Sequence, residues 1–453
     1  MAALDDPASL TANAAAAAIR DGALSSEELT RACLARIEAR EAEVAAWAHL
    51  DPEHALAQAR RLDELRAGGA PLGALHGLPV GIKDIFDTRD YPTEDGTELH
   101  AGRTPDEDAS AVALLRAAGA LVMGKTVTTE LAAYAPGKTR NPHDPARTPG
   151  GSSSGSAAAV AAGMVPLALG SQTNGSVIRP AAYCGVVGYK PTFGTISRHR
   201  VLQQSRHLDH VGVFARTVED AALMAECLMA HDEHDPDTSP RARPALLATA
   251  REEPPVTPHL AFVESPQWEH ADADTREGFV ELVEHLGDRI EPHALPEAFA
   301  GVIEWHRTVM EGDFARSFAR EYATGRERLS SVIREQIERG RGVLAMDYNE
   351  AVARQAVLNA LLEDTWQRFD AIVAPAATGE APAGLDATGS PVFCTTWTFC
   401  GTPAVTLPLL TGSHGLPIGV QVVGRRGDDA RLLRTARWLA GAVAQAALED
   451  SED

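Results

Sequence analysis

Residues suited to chemistry are concentrated in three short stretches of this chain. They are Lys83, which ends the apolar run LPVGIK; the loop PGGSSSGS over 149–156; and GSQTNGSVIRPAAYCGVVGYKPTFG over 170–194. Each has an ordinary explanation when taken alone. Most lysines that leave a strand reach water. Gly/Ser-rich loops are usually linkers, and a Gly-Ser pair such as Gly175-Ser176 marks a turn far more often than a nucleophile. Together they meet a specific need. A serine hydroxyl is a poor nucleophile until a base takes its proton. A lysine held among apolar neighbours can be that base, because desolvation disfavours its ammonium form and lowers its pKa. Ser152 stands where a second hydroxyl would relay the proton between Lys83 and Ser176. Gly175 permits a sharp turn, so the N–H groups of Thr173, Asn174, Gly175 and Ser176 can converge as an oxyanion hole. The helix that opens after 149–156 would favour negative charge near its N-terminus.

Competing chemistries find less support. No Lys-Ser or Lys-Thr pair follows the glycine-rich loop at phosphate-loop spacing, and no GxGxxG with a partner acid is present. No GxSxG elbow or His-Asp set announces a conventional triad. The 16 histidines include no HExxH, and the five cysteines (Cys33, Cys184, Cys227, Cys394, Cys400) form no zinc-spaced cluster. Neither a metal nor a cofactor is therefore expected, and the cysteines are expected as reduced, mostly buried thiols. Acidic residues outnumber basic ones by 63 to 41, a net charge of −22. Such a surface repels nucleic-acid phosphate and anionic lipid, so neither is an expected partner. No stretch is long and apolar enough to span a bilayer, and MAALDDPASL lacks a signal-peptide core, which makes a cytoplasmic protein the expectation.

The elements that must position these residues alternate between helix and strand. Residues up to about 70 read as helical, with a Ser25-x-x-Glu28 capping box and an amphipathic stretch over 53–67 ended by Gly68 and Gly69. Leu78–Ile82 reads as a buried strand, DASAVALLRAAG as a helix and ALVMGKT as a strand, a pattern of layered α/β architecture. Residues 232–257 are polar and Pro-rich and read as a surface excursion or flexible link. Residues from about 258 to 365 read as a charged, helical, cap-like layer. AIVAP, AVTLPLL and IGVQVVG read as strands, followed by a helix around 429–447. With α/β patterns at both ends, one intertwined domain over 1–453 is expected, the candidate site falling within 76–220.

On these residues the chain resembles the amidase signature family. GGSSSGSAAAVAAGMVPLALGSQTNGSVIRPAAYCGVVGYKPT is similar to the family's Gly/Ser signature nearly residue for residue. PLGALHGLPVGIKD resembles its lysine segment, and GKTVTTELA, LDHVGVFARTVEDAAL and GLPIGVQVVGRRGDDARLLR resemble further stretches. The resemblance implies a single α/β/α sandwich around a large mixed sheet. It implies catalytic roles for Lys83 as base, Ser152 as relay on a cis peptide and Ser176 as acyl-forming nucleophile, with Ser153 and Ser171 as supporting hydroxyls. It implies a small-molecule amide as substrate and admits a homodimer. Two departures stand out: Asn174 occupies a position where members commonly carry glycine, and Gln172 one where many carry Asp.

Arg179 lies one helical turn beyond Ser176. It would either clamp a substrate carboxylate, as in members that hydrolyse small acid amides, or serve the structure. An ester or carbamoyl hydrolase, including one acting on ureido compounds, would use the same acyl chemistry. From another class, the chain could be an amidase-type subunit of a tRNA-dependent amidotransferase. A binding protein without catalysis is disfavoured because Lys83, Ser152 and Ser176 are all present.

Overall fold

The computed structural model describes residues 6–265 and 267–449. Its eleven strands are β1 (Trp47–Leu50), β2 (Pro79–Lys83), β3 (Leu121–Thr126), β4 (Leu167–Gln172), β5 (Val187–Lys190), β6 (His210–Ala215), β7 (Leu260–Phe262), β8 (Ile290–Pro292), β9 (Ala371–Pro375), β10 (Ala404–Thr411) and β11 (Pro417–Val423). They form one mixed sheet in the order β1-β3-β2-β4-β6-β5-β10-β11-β9-β7-β8. Side chains alternate across the strands and feed two apolar layers. On β9, β10 and β11 the residues Val373, Val405 and Val422 pack into one cluster, while Ile372, Ala404 and Val423 pack into another. Helices cover both faces, giving the α/β/α sandwich expected from sequence. No helix among the described residues is long and apolar enough to cross a membrane.

Local signals in the sequence act as anticipated. Ser25 and Glu28 form a reciprocal capping box at the start of helix Ser26–Val44. Helix Pro52–Ala67 ends at Gly68, and all five cysteines are free and buried. Three regions differ. The N-terminal segment, read as helical, also supplies β1, an edge strand antiparallel to β3. The charged layer over 258–365 is mainly helical but contributes β7 and β8, which extend the sheet beyond β9 in parallel. Those strands are only three residues long, too short for periodicity to reveal. The Pro-rich segment after 232 is tied down. Asp232 accepts hydrogen bonds from Ser110 and Ser197, and Asp235 is ion-paired with Arg198 at 2.9 Å.

Parallel pairing of β2 with both β3 and β4 brings the C-terminal ends of three strands to one edge of the sheet. Helix Ser154–Ala161 crosses beneath that edge and is buried from Ser154 to Val160. Its small residues follow from that burial. A Cβ on Gly155 would lie 2.3 Å from both the Ala46 carbonyl oxygen and the Val127 nitrogen, and one on Gly170 would lie 2.5 Å from the Phe214 ring. Gly155→Ala must push this helix off β3, which overpacking costs place at about 1–3 kcal/mol of stability. Chemical denaturation should read that loss. Activity should fall with it, because Ser152 sits just before the displaced helix.

Candidate active site

Lys83 ends β2 and is fully buried. Its Nζ lies 2.7 Å from Ser152 Oγ and 2.8 Å from Ser171 Oγ. Ser171 is near the end of β4, and because Ile82 is level with Leu169 both Lys83 and Ser171 lie just past the paired stretch of the two strands. Burial holds the Lys83 amine well below the usual lysine range, with the charge of Asp209 acting in the opposite direction. Lys125, at the end of the neighbouring strand, is the instructive contrast. It is equally buried, but its ammonium is 3.1 Å from the Asp84 carboxylate and donates to the Phe86 and Pro92 carbonyls and the Thr93 hydroxyl. Burial lowers the Lys125 amine too, but here the Asp84 carboxylate acts against it. Lys83 forms no ion pair with any described residue and meets only hydroxyls.

Ser152 follows a cis Gly151–Ser152 peptide and starts the turn into helix Ser154–Ala161. Its carbonyl accepts from the Thr129 amide at 3.3 Å. Ser153 braces the adjacent strand: its hydroxyl donates to the Ser171 carbonyl at 3.2 Å and accepts from the Ser171 amide at 3.3 Å. Ser176 sits between β4 and helix Ile178–Cys184 and keeps only 9% of its surface exposed. The amides of Thr173, Asn174, Gly175 and Ser176 find no acceptor among the described residues, so this turn offers a run of unspent donors beside the serine hydroxyl.

The turn is held differently from the sequence expectation. Neither Asn174 nor Gly175 has a positive φ, so glycine is not required there for a left-handed backbone. It is required by close approach: a Cβ on Gly175 would lie 2.9 Å from Pro391 Cβ and 3.2 Å from Cys394 Sγ. Asn174 is read at both ends of its amide, donating to Tyr134 OH at 3.1 Å and accepting from Thr395 Oγ1 at 2.7 Å. Gln172 substitutes geometrically for an acidic cap. Its Oε1 accepts from the amides of Val177 and Ile178 at 2.8 and 3.0 Å, and its Nε2 donates to Thr398 Oγ1 at 2.9 Å. The next helix is thus capped without a charge.

Arg179 is 1% exposed. One terminal nitrogen donates to the Gly389 carbonyl at 2.7 Å, and the other to the Gly151 carbonyl at 2.6 Å and to Thr388 Oγ1 at 3.2 Å. Its fork is occupied by main chain, including the carbonyl of the cis peptide before Ser152. Further residues around the turn carry no sequence signal, because they arrive from distant segments. The Thr173 hydroxyl lies 2.7 Å from both Gln204 Oε1 and Asp209 Oδ1. His306, on helix Val302–Ser317, donates from Nε2 to the Thr173 carbonyl at 2.9 Å. Burial pushes this imidazole down to about 4, so it is neutral at physiological pH.

The Amidase family profile matches residues 28–433. The chain belongs to the amidase family. Among curated relatives, this amidase is 37% identical over 464 residues to a subunit of the glutamyl-tRNA(Gln) amidotransferase of Chloroflexus aurantiacus, covering 94% of this chain and 95% of that one. Among solved structures it resembles 6-aminohexanoate cyclic dimer hydrolase complexed with substrate, with TM-score 0.84, 27% identity, and coverage of 97% and 98% of the two chains. It also resembles the native peptide amidase of Stenotrophomonas maltophilia, with TM-score 0.82, 28% identity and 97% coverage of each chain. These likenesses make it an amidohydrolase. In this amidase, Gln172→Leu would leave the Val177 and Ile178 amides without their acceptor, while the Thr398 hydroxyl would keep the Asn174 carbonyl. A loss of about 1–3 kcal/mol per stranded buried group is expected, read as a lower unfolding midpoint together with reduced turnover.

Proposed function

We propose that this amidase hydrolyses a small-molecule amide through an acyl intermediate on Ser176, with Lys83 as base and Ser152 as proton relay. The observation that carries this reading is the buried Lys83 amine, free of any carboxylate contact and within 2.8 Å of two hydroxyls. A lysine held in that way is a neutral base and not a structural cation. Ser176 Oγ attacks the amide carbon while its proton passes to Ser152, whose own proton passes to Lys83. The N–H groups of Thr173, Asn174, Gly175 and Ser176 receive the developing oxyanion, each donor of this kind being worth about 2.7–4 kcal/mol. Lys83 returns a proton through Ser152 to the leaving nitrogen, and the C–N bond breaks. Water then gives a proton to the same relay, attacks the acyl carbon and frees Ser176. No step calls for a metal or a cofactor.

Arg179 belongs in this reading as the brace of the Gly151–Ser152 peptide. Its occupied fork supports that role over a carboxylate clamp, which leaves the acyl group of the substrate open to neutral amides, ureido compounds and esters. A second reading rests on the 37% identity to a component of a tRNA-dependent amidotransferase: the chain would release ammonia within a complex and turn over little by itself. The net charge of −22 favours the independent enzyme, because such a surface repels a tRNA.

Ammonia release by the purified chain separates these readings. A panel would pair butyramide with succinamic acid and add aromatic amides and ureido compounds. Turnover by the isolated chain, abolished in Ser176→Ala and Lys83→Ala with the thermal melt retained, is the expected outcome; silence across the panel moves the assignment to a component of a complex. Arg179→Ala should lower the rate on every substrate alike. Loss confined to carboxylated substrates would restore the clamp. The rate should also fall as pH drops through the lowered pKa of Lys83, since protonation removes the base. A profile unchanged by Lys83 replacement would overturn its role.

A further inference from the structure

Asp209 lies at the end of the loop that leads into β6 and is buried, with no place in the relay itself. One carboxylate oxygen accepts from the Thr173 hydroxyl at 2.7 Å. The other accepts from the amides of Gln204 and Ser205 at 2.9 and 3.0 Å. Gln204 extends the clamp: its Oε1 also lies 2.7 Å from the Thr173 hydroxyl, whose single proton serves one of the two acceptors at a time, and its Nε2 donates to the Leu131 carbonyl at 2.7 Å. Leu131 and Ala132 both have left-handed backbone, φ 48° and 55°, a conformation that side-chain-bearing residues hold only when pinned. The same loop is tied to the helical layer above it. Ser205 donates to Asp313 at 2.6 Å, Tyr348 donates to that carboxylate's other oxygen at 2.8 Å, and Ser317 donates to the Gln204 carbonyl at 3.2 Å.

We propose that Asp209 is a positioning residue for the acyl-transfer site, holding Thr173 in the oxyanion turn and supplying the counter-charge for the ammonium that forms on Lys83 during turnover. This rests on the relay reading above. Proton transfer to Lys83 creates a cation in a dry site where it has no ion-pair partner, and a fixed carboxylate within Coulombic reach lowers the energy of that cation without reorganising. Lys83 meets Ser171 and Asp209 meets Thr173, two positions further along the chain, and the field of that carboxylate acts on the amine. Arg198 faces Asp209 from the loop after β5, and its own guanidinium is bound by Asp235 and Asp237. His306 reaches the other side of Thr173 as a neutral ring. Burial pushes the Asp209 carboxyl up to about 6, against the hydrogen bond from Thr173 and the charge of Arg198, so the counter-charge is present above that pH.

Asp209→Asn tests the proposal, because a flipped amide can keep both arms of the clamp while removing the charge. Its oxygen would accept from the two amides, and its NH₂ would donate to Thr173, whose hydroxyl would then donate to Gln204. The probe is inactivation by an alkyl fluorophosphonate, in which Ser176 Oγ bonds to phosphorus and fluoride leaves, so the natural substrate need not be known. Without the carboxylate, Lys83 is a weaker base that stays neutral to lower pH. The acidic limb of the inactivation profile should therefore move to lower pH, while the plateau rate constant falls about 10-fold or more and the half-saturating inhibitor concentration stays within about twofold. A purely structural role would not move the limb; an unmoved or upward-shifted limb overturns the proposal. Lys83→Ala and Ser176→Ala keep the two readings apart. If either is inactivated at the wild-type rate, the relay reading fails whatever Asp209 does. If both are inert and Asp209→Asn superimposes on wild type, only the role of Asp209 fails. Should Asp209→Asn not melt cooperatively, Thr173→Val removes the clamped hydroxyl alone. It should lower the plateau rate constant about 10-fold or more with half-saturation unchanged, and an unchanged rate constant overturns the clamp.

Discussion

Burying an amine is unfavourable unless its charge is paired or lost. At the ends of two adjacent strands this protein does each once. Lys125 has its charge favoured by contact with Asp84 and three oxygen acceptors. Lys83 has only the hydroxyls of Ser152 and Ser171, and burial drives it towards the neutral amine. Everything around the site follows from that second choice. The sheet must deliver Lys83 into a dry layer, the small-residue helix must approach closely enough to set Ser152 beside it, and carboxylates must be kept out of contact. Gly155 and Gly170 are compulsory for the same reason, since a methyl group at either would hold the helix or the strand away.

The nucleophile turn is maintained by a second principle, the satisfaction of buried polar groups around a few that are left unspent. Gln172 caps the following helix, Asn174 is held by Tyr134 and Thr395, and the Thr173 carbonyl takes the His306 N–H. The hydroxyl of Thr173 is shared between Gln204 and Asp209. With these partners in place, the amides from Thr173 to Ser176 remain without an acceptor. In a protein interior, unpaired donors are expensive, and a run of them beside a serine is the arrangement that favours a developing negative charge. Gln172 fills this cap with a neutral amide, so the turn gains no further carboxylate there.

Helices over 302–368 connect this site to the outer layer. His306, Asp313 and Ser317 bond to the turn or to the loop before β6 and Tyr348 braces Asp313, while Phe314, Phe318, Ile333 and Ile337 pack around Leu131 in a small apolar cluster. The left-handed pair Leu131–Ala132 is thus fixed from both sides.

Much of the fold was legible because its signals are local. Capping boxes, apolar runs and glycine stops depend on residues a few positions apart, and they located most helices and the longer strands. Lys83, Ser152 and Ser176 were likewise legible as candidates, because each sits in a stretch whose composition is unusual by itself. Short edge strands were not, since three residues carry no period and gain their structure from the neighbour they pair with. Nor was the function of Gly175, which sequence suggested as a turn glycine and which is instead a point of contact with Pro391 and Cys394. Arg179 could be read as clamp or brace until the carbonyls of Gly151 and Gly389 were found on its fork. Asp209, Gln204 and His306 lie from about 30 to more than 130 residues beyond the turn they hold. The sequence alone singled out candidate groups for acyl transfer. Tertiary structure decided which buried lysine meets a carboxylate and which meets only hydroxyls, which amides are unspent and which carboxylate grips the nucleophile turn, because desolvation and hydrogen-bond satisfaction depend on neighbours in space and not on neighbours in the chain.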